Sequence, residues 1–251
     1  GYQYHYVTTT EKNDTAITLD GVTGRQRQVA YAVAAVNNGG EGERTSSQPV
    51  LMGDSYKLPV RIDFSENIKW AQNGWTDSQN HYWWRQEMDG YVRYSTDKVL
   101  WFKLDGEEGA NFNSGKLDLT HAVKPTLTYS VAPEEDTQIE VNAILPDQTV
   151  KRLATHGKSE KAQYSVSLAS LKGLNNVIIQ FHGSSTASEV WAGLYGINID
   201  DPTENNLAAR LHTPARLFGA QQAETSVDIT NYGTKTAKGY TVRLHANDKP
   251  V

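Results

Sequence analysis

From Asn113 to Val131 the apolar residues fall on alternate positions: Leu117 and Leu119 before a Lys124-Pro125 break, then Leu127, Tyr129 and Val131 after it. A period of two, bounded by Asn113-Ser114-Gly115 and by the proline turn, describes two half-buried strands. A helix would repeat its apolar positions at three and four. The same alternation runs through Ile139/Val141/Ala143/Leu145, Tyr164/Val166/Leu168 and Val177/Ile179/Phe181. Strands are predicted at Val60–Phe64, Tyr91–Tyr94, Val99–Phe102, Lys116–Thr120, Thr126–Val131, Ile139–Leu145, Val150–Ala154, Gln163–Leu168, Val177–Phe181 and Tyr195–Ile199, with no helical stripe of useful length between them. So many strands over residues 53–202 predict an all-β domain, a two-sheet antiparallel sandwich of the jelly-roll kind.

The flanks carry shorter patterns. Residues 1–52 read as strands at Tyr2–Val7, Ala16–Leu19 and Val29–Val36, the last ending in Asn37-Asn38-Gly39-Gly40. A short linker follows, from Gln48-Pro49 to Lys57-Leu58-Pro59. In residues 203–251 the run Val227–Leu244 alternates on both sides of Asn231-Tyr232-Gly233-Thr234, which predicts two strands joined by that turn. Each flank is too short for a whole sandwich. The chain is therefore expected to be a window on a longer array of β-modules, whose incomplete ends offer strand edges for self-association.

The 251 residues can hold one large sandwich or two to three smaller domains. A net charge of -5 supplies no field for nucleic acid or for anionic membrane surfaces, and no apolar run approaches a membrane span. The absence of cysteine excludes disulfides, thiolate zinc sites and a cysteine nucleophile.

Three segments resemble known bacterial surface modules. Leu19, Val22, Val33-Ala34-Ala35-Val36-Asn37 and Gly40-Glu41-Gly42 resemble the C-terminal half of a fibronectin type III domain, with Val29 where that family places its corner tyrosine. Leu58–Glu66, Ser114–Leu119 with Lys124–Tyr129, and Val177–Gly183 with Gly193–Ile199 resemble the jelly-roll modules called cleaved-adhesin domains and their MAM-like relatives. That family often carries an Asp-Asp pair in its last strand, where this chain has Tyr195-Gly196, so no role of the pair carries over. Val227–Leu244 resembles the opening strands of CARDB, immunoglobulin-like adhesion modules. Together these resemblances imply a secreted or cell-surface, adhesin-like binding module without catalytic activity. The alternative they leave open is a structural spacer or accessory region of a larger secreted protease or glycosidase.

Two kinds of site are legible. Sugar rings present apolar C–H faces that stack on aromatic rings, and the segment Trp70–Phe102 is the densest in Trp and Tyr. Read as an exposed loop, it offers Trp75, Tyr82, Trp83 and Trp84 as glycan contacts beside Arg85 and Asp89. Within Trp83-Trp84, a strand would turn one ring inward and the other outward. The competing reading buries these rings in the core or between domains. For a structural calcium ion, the candidate ligands are Asp63 and Glu66 at the domain entry, Asp105 and Glu107 in a turn, and Asp200 and Asp201 at the exit, although none has the alternate spacing of a calcium loop. No other cofactor is expected. Glu134, Glu135, Asp136 and Glu140 lack the spacing of a glycosidase acid pair on one strand, and His182-Gly183-Ser184 has no nucleophile elbow, so a hydrolase is not expected.

Overall fold

The computed structural model describes residues 3–11, 14, 16–19, 21–64, 69–71, 74–77, 81–95, 97–202, 207–212, 225–231, 235–243, 245–246 and 249–250. The chain is all-β, and its centre is a two-sheet antiparallel sandwich. In chain order its strands are β1 (Val60–Ile62), β2 (Lys69–Ala71), β3 (Gly74–Thr76), β4 (Tyr82–Glu87), β5 (Tyr91–Ser95), β6 (Val99–Leu104), β7 (Ala110–Asn113), β8 (Thr126–Pro133), β9 (Thr137–Ile144), β10 (Val150–His156), β11 (Ala162–Ser167), β12 (Ile178–Ser185) and β13 (Val190–Asp200). One sheet has seven strands in the order β10-β9-β12-β7-β4-β3-β2. The other has six, in the order β5-β6-β13-β8-β11, with β1 also paired to β13.

The alternating apolar positions all point between the sheets. Leu117, Leu119, Leu127 and Val131 are fully buried and Tyr129 is 2% exposed, as their period requires. Ile139, Val141, Ile179 and Phe181 face them from the seven-stranded sheet. Phe112 anchors one end of the core, stacked on Trp83 at 5.4 Å and 5° and tilted against Trp75 at 5.1 Å. The Trp83 indole N–H donates to buried Asp77 at 3.0 Å, and Asp77 also accepts the His81 backbone N–H at 2.9 Å. These donors satisfy a carboxylate that would otherwise be costly to bury.

The part of the aromatic segment expected to be a loop, from Trp70 up to the strand at Tyr91–Tyr94, instead supplies β2, β3 and β4. Apolar Trp75 and Trp83 pair across β3 and β4 and turn the same way, into the core. Of the predicted Lys116–Thr120 strand only Leu117–Asp118 forms, in a parallel pair with Tyr56–Lys57.

Among the flanks, Arg27–Met52 folds back on itself as an interrupted hairpin. Arg27 pairs with Met52, Ala32 with Ser46 and Val36 with Glu41, and the reversal comes at Asn37–Gly40. Gln26, 1% exposed, ties this hairpin to the sandwich. Its amide nitrogen donates to the carbonyls of Asp54 and Lys116 at 2.7 and 2.9 Å, and its amide oxygen accepts the Lys116 N–H at 2.7 Å. The strands expected at Tyr2–Val7 and Ala16–Leu19 do not form over their described residues. Nor does Val227–Leu244 close as one hairpin. Ser226–Asn231 pairs with Leu207–His212, whose Leu207/Ala209/Leu211 alternation matches Val227 and Ile229, and Lys235–Arg243 is not strand. No helix among the described residues is long and apolar enough to cross a membrane.

Candidate functional site

A sandwich has two outer faces, and strand alternation sends to them whatever lies between the core positions. In the seven-stranded sheet many of those residues are amides. One row runs across neighbouring strands from Trp84 on β4 to Asn113 on β7, Gln180 on β12 and Asn142 on β9, each directly opposite the next. The row beside it runs Gln86, Asn111, His182, Glu140.

Hydrogen bonds relay along both rows. Gln180 donates through Nε2 to Asn113 Oδ1 at 3.0 Å, and Asn142 Nδ2 donates to Gln180 Oε1 at 3.4 Å. In the second row Asn111 Nδ2 donates to Gln86 Oε1 at 3.1 Å, while Asn111 Oδ1 accepts from His182 Nδ1 at 2.8 Å. Burial holds the His182 imidazole below its usual pKa, so at neutral pH the ring is uncharged. With its proton on Nδ1, its Nε2 is an acceptor.

The neighbours crowd these amides closely. Asn111, Asn113 and Asn142 are 7%, 1% and 4% exposed on what is topologically an outer surface, and Asn142 Oδ1 is buried without a hydrogen-bond partner. At the far edge Arg152 pairs with Glu140 at 3.0 Å. At the near edge Trp84 is half-buried and lies 6.2 Å from the Tyr82 ring at 21°. Tyr82 in turn lies over Gly74, where an added Cβ would come within 2.6 Å of its ring.

The outer face of the six-stranded sheet differs. Tyr91 and Arg93 on β5, Trp101 and Lys103 on β6, and Trp191 and Gly193 on β13 share its rows. The Trp101 ring is perpendicular to Trp191 at 6.1 Å and edge-on to Tyr195 at 6.4 Å, and Tyr91 is edge-on to Trp191 at 6.4 Å. The rest of this face is short and polar: Thr128, Ser165 and Asn198, with Arg61 bound to Asn198 and Asp200 at 2.6 Å each.

Of the four rings expected to stack on a glycan, the structure keeps one in position. Trp75 and Trp83 are 0% and 1% exposed inside the core, and Tyr82, 3% exposed, backs Trp84 rather than meeting solvent. A ring so enclosed has no face left for a ligand, so the expected four-ring contact surface does not form. Trp84 is the half-buried, outward member of its pair.

The calcium candidates are not gathered. Asp200 is bound to Arg61, Asp201 accepts the backbone N–H groups of Val123 and Lys124, and Asp105 accepts the Glu189 N–H at 2.7 Å. Asp63 and Glu107 are exposed, and Glu66 lies outside the described residues. No group of three or more His, Asp or Glu with metal-site geometry occurs among the described residues. The amide rows and the two rings set against Trp101, those of Trp191 and Tyr195, escaped the sequence reading. Their signal is there in the polar positions of the strands, as Asn111-Phe112-Asn113, Glu140-Val141-Asn142 and Gln180-Phe181-His182.

No family model matches the chain, and no curated protein matches it. Solved structures do show similarity. A family 29 carbohydrate-binding module from Piromyces equi is 12% identical with a TM-score of 0.39, over 56% of this chain and 90% of that one. A family 29 module variant in complex with cellulohexaose is 11% identical with a TM-score of 0.38, over 56% of this chain and 91% of that one. The glycoside hydrolase domain of Endo-D from Streptococcus pneumoniae R6 is 16% identical with a TM-score of 0.38, over 70% of this chain and 33% of that one.

Proposed function

We propose that the sandwich is a non-catalytic, secreted or cell-surface binding module that takes an uncharged glycan on the amide face of its seven-stranded sheet. The supporting observation is the accessible part of the two rows, half-buried Trp84, Gln180 and His182 with exposed Gln86, held in place by the buried amides Asn111, Asn113 and Asn142. A sugar hydroxyl both donates and accepts, and so does a carboxamide, whereas a carboxylate only accepts and an ammonium only donates. Amides already fixed by one another lose little freedom when a ligand arrives, so their hydrogen bonds count nearly in full toward affinity. Trp84 at the end of the row supplies the apolar surface that a pyranose C–H face requires. Glu140, the carboxylate of these rows, is held by Arg152 and faces no second acid among the described residues of the two rows.

The test is a calorimetric titration of the chain with glucan, mannan and xylan oligosaccharides. Trp84→Ala and Gln180→Ala are each expected to weaken binding roughly ten- to hundredfold, the cost of one lost buried partner. Binding that survives both substitutions unchanged would remove the amide face from the reading.

A further inference from the structure

We infer that the outer face of the six-stranded sheet is a second, separate binding site, and that it takes a polysaccharide bearing carboxylates, such as a polyuronate chain lying across the strands. The inference does not depend on the amide face, which lies on the opposite side of the sandwich.

Its basis is one row of the sheet. Arg93 on edge strand β5 stands opposite Trp101, Trp101 opposite Gly193, and Gly193 opposite Ala132. At the other edge β11 begins at Ala162, paired with Val131, and Lys161 immediately precedes that strand and continues the row past Ala132. The row therefore reads cation, indole, glycine, alanine, cation. Its ends are four strand spacings apart, about 19 Å between backbones.

Both end cations are exposed and held over rings. The Arg93 guanidinium carbon is 4.7 Å from the centre of the Trp191 ring, and Lys161 Nζ is 4.1 Å from the centre of the Tyr195 ring. A cation–π contact directs the head group inward along the face and leaves its N–H donors able to bind an anion. Neither forms an ion pair with a described carboxylate, unlike Lys103, bound to Glu189 at 2.9 Å, and Lys158, bound to Glu135 at 2.7 Å. Between them the face is aromatic: the Tyr195 ring lies against buried Gly193, whose missing side chain leaves it room, and Trp101 stands edge-on to Tyr195 and Trp191.

A ligand that satisfies this row is extended, apolar on one side and negatively charged at intervals. A net charge of -5 repels a dense polyanion such as duplex nucleic acid, but two fixed cations suffice for spaced carboxylates on a sugar chain.

Affinity electrophoresis of the intact chain in gels containing polygalacturonate tests this, with fully methyl-esterified polygalacturonate as the uncharged control and circular dichroism to confirm the fold. The expected result is retardation by the acid form only, weakened as salt rises, and reduced about tenfold or more in Arg93→Gln/Lys161→Gln. Both side chains are exposed, so the variant keeps its sheets, and its titration with the uncharged oligosaccharides should match the parent chain. No retardation, equal retardation by the ester, or full retardation of the folded double variant would each overturn the inference. The reading of the amide face would stand or fall by its own titration.

Discussion

The two outer faces are built on the same pleat from strands of similar length, yet they handle polarity in opposite ways. On the seven-stranded sheet the two rows are mostly uncharged and bonded to one another, with Asn113 1% exposed and their carboxylate, Glu140, paired with Arg152. On the six-stranded sheet two cations are exposed and lie over half-buried rings, Arg93 on Trp191 and Lys161 on Tyr195. A buried amide row is costly unless every member is satisfied, and Asn142 Oδ1 is not. A cation over a ring costs little and keeps its charge available. The first face is suited to a ligand that completes a hydrogen-bond network, and the second to one that neutralises charge.

The sharpest separation of scaffold from site lies within one dipeptide. Trp83 packs against Phe112 in the core, and Trp84 faces outward at the end of the amide row. Trp83→Ala leaves a cavity and should lower unfolding free energy by about 3–5 kcal/mol in urea titration. Trp84→Ala should lower it by well under half of that while removing most uncharged-glycan affinity. If both variants lose stability equally, Trp84 belongs to the core and the amide face loses its stacking surface.

This pair also shows how far the sequence could be read. The alternation in Leu127/Tyr129/Val131 and Ile139/Val141/Ala143 was enough to establish strands and core, because burial acts on every second side chain regardless of neighbours. The aromatic cluster Trp70–Trp84 misled because ring density looks the same in a loop and in a core. What separates them is pairing between distant strands, such as Trp84 with Asn113 and Asn113 with Gln180. Each amide is ordinary on its own strand, and only the sheet register aligns them. Tyr195 is a plainer case. A bulge beside Leu194 leaves it outside the register, next to Gly193, and period-two counting cannot anticipate that.

Acid should act on the two faces differently. His182 has its folded pKa lowered by burial, from an ordinary 6.5. Above pH 6.5 both folded and unfolded chains are neutral at this ring, and it contributes no pH dependence. As pH falls below that value the unfolded chain takes up a proton that the folded chain resists. Stability therefore declines until pH passes the lowered folded value, then levels off. His156, also lowered by burial, adds to the same decline. His182→Gln should flatten part of it in chemical denaturation at stepped pH. Uncharged-glycan affinity should hold as pH falls through 6.5 and weaken only as pH approaches the lowered folded value of His182, and that ring should leave polygalacturonate retardation untouched, because the aromatic row carries no histidine. A parallel loss on both faces would mean that acid acts through global loosening rather than through the ring.

The smallest expected effect tests the floor of the aromatic row. A Cβ added at Gly193 would sit 3.0 to 3.2 Å from three atoms of the Tyr195 ring, closer than packed side chains normally allow. The backbone there needs no left-handed conformation, so Gly193→Ala is free of φ strain, and the ring can answer by tilting a few tenths of an ångström. Because Tyr195 is half-exposed, stability should change by no more than about 0.5 kcal/mol. The tilt, however, moves the surface on which Lys161 rests, 4.1 Å from the ring centre. Polygalacturonate retardation should then fall by roughly two- to threefold, within the range of a weakened cation–π contact, while the uncharged-glycan titration on the opposite face stays as it was. A variant that loses neither would show that the lysine is held by the strand edge and not by the ring.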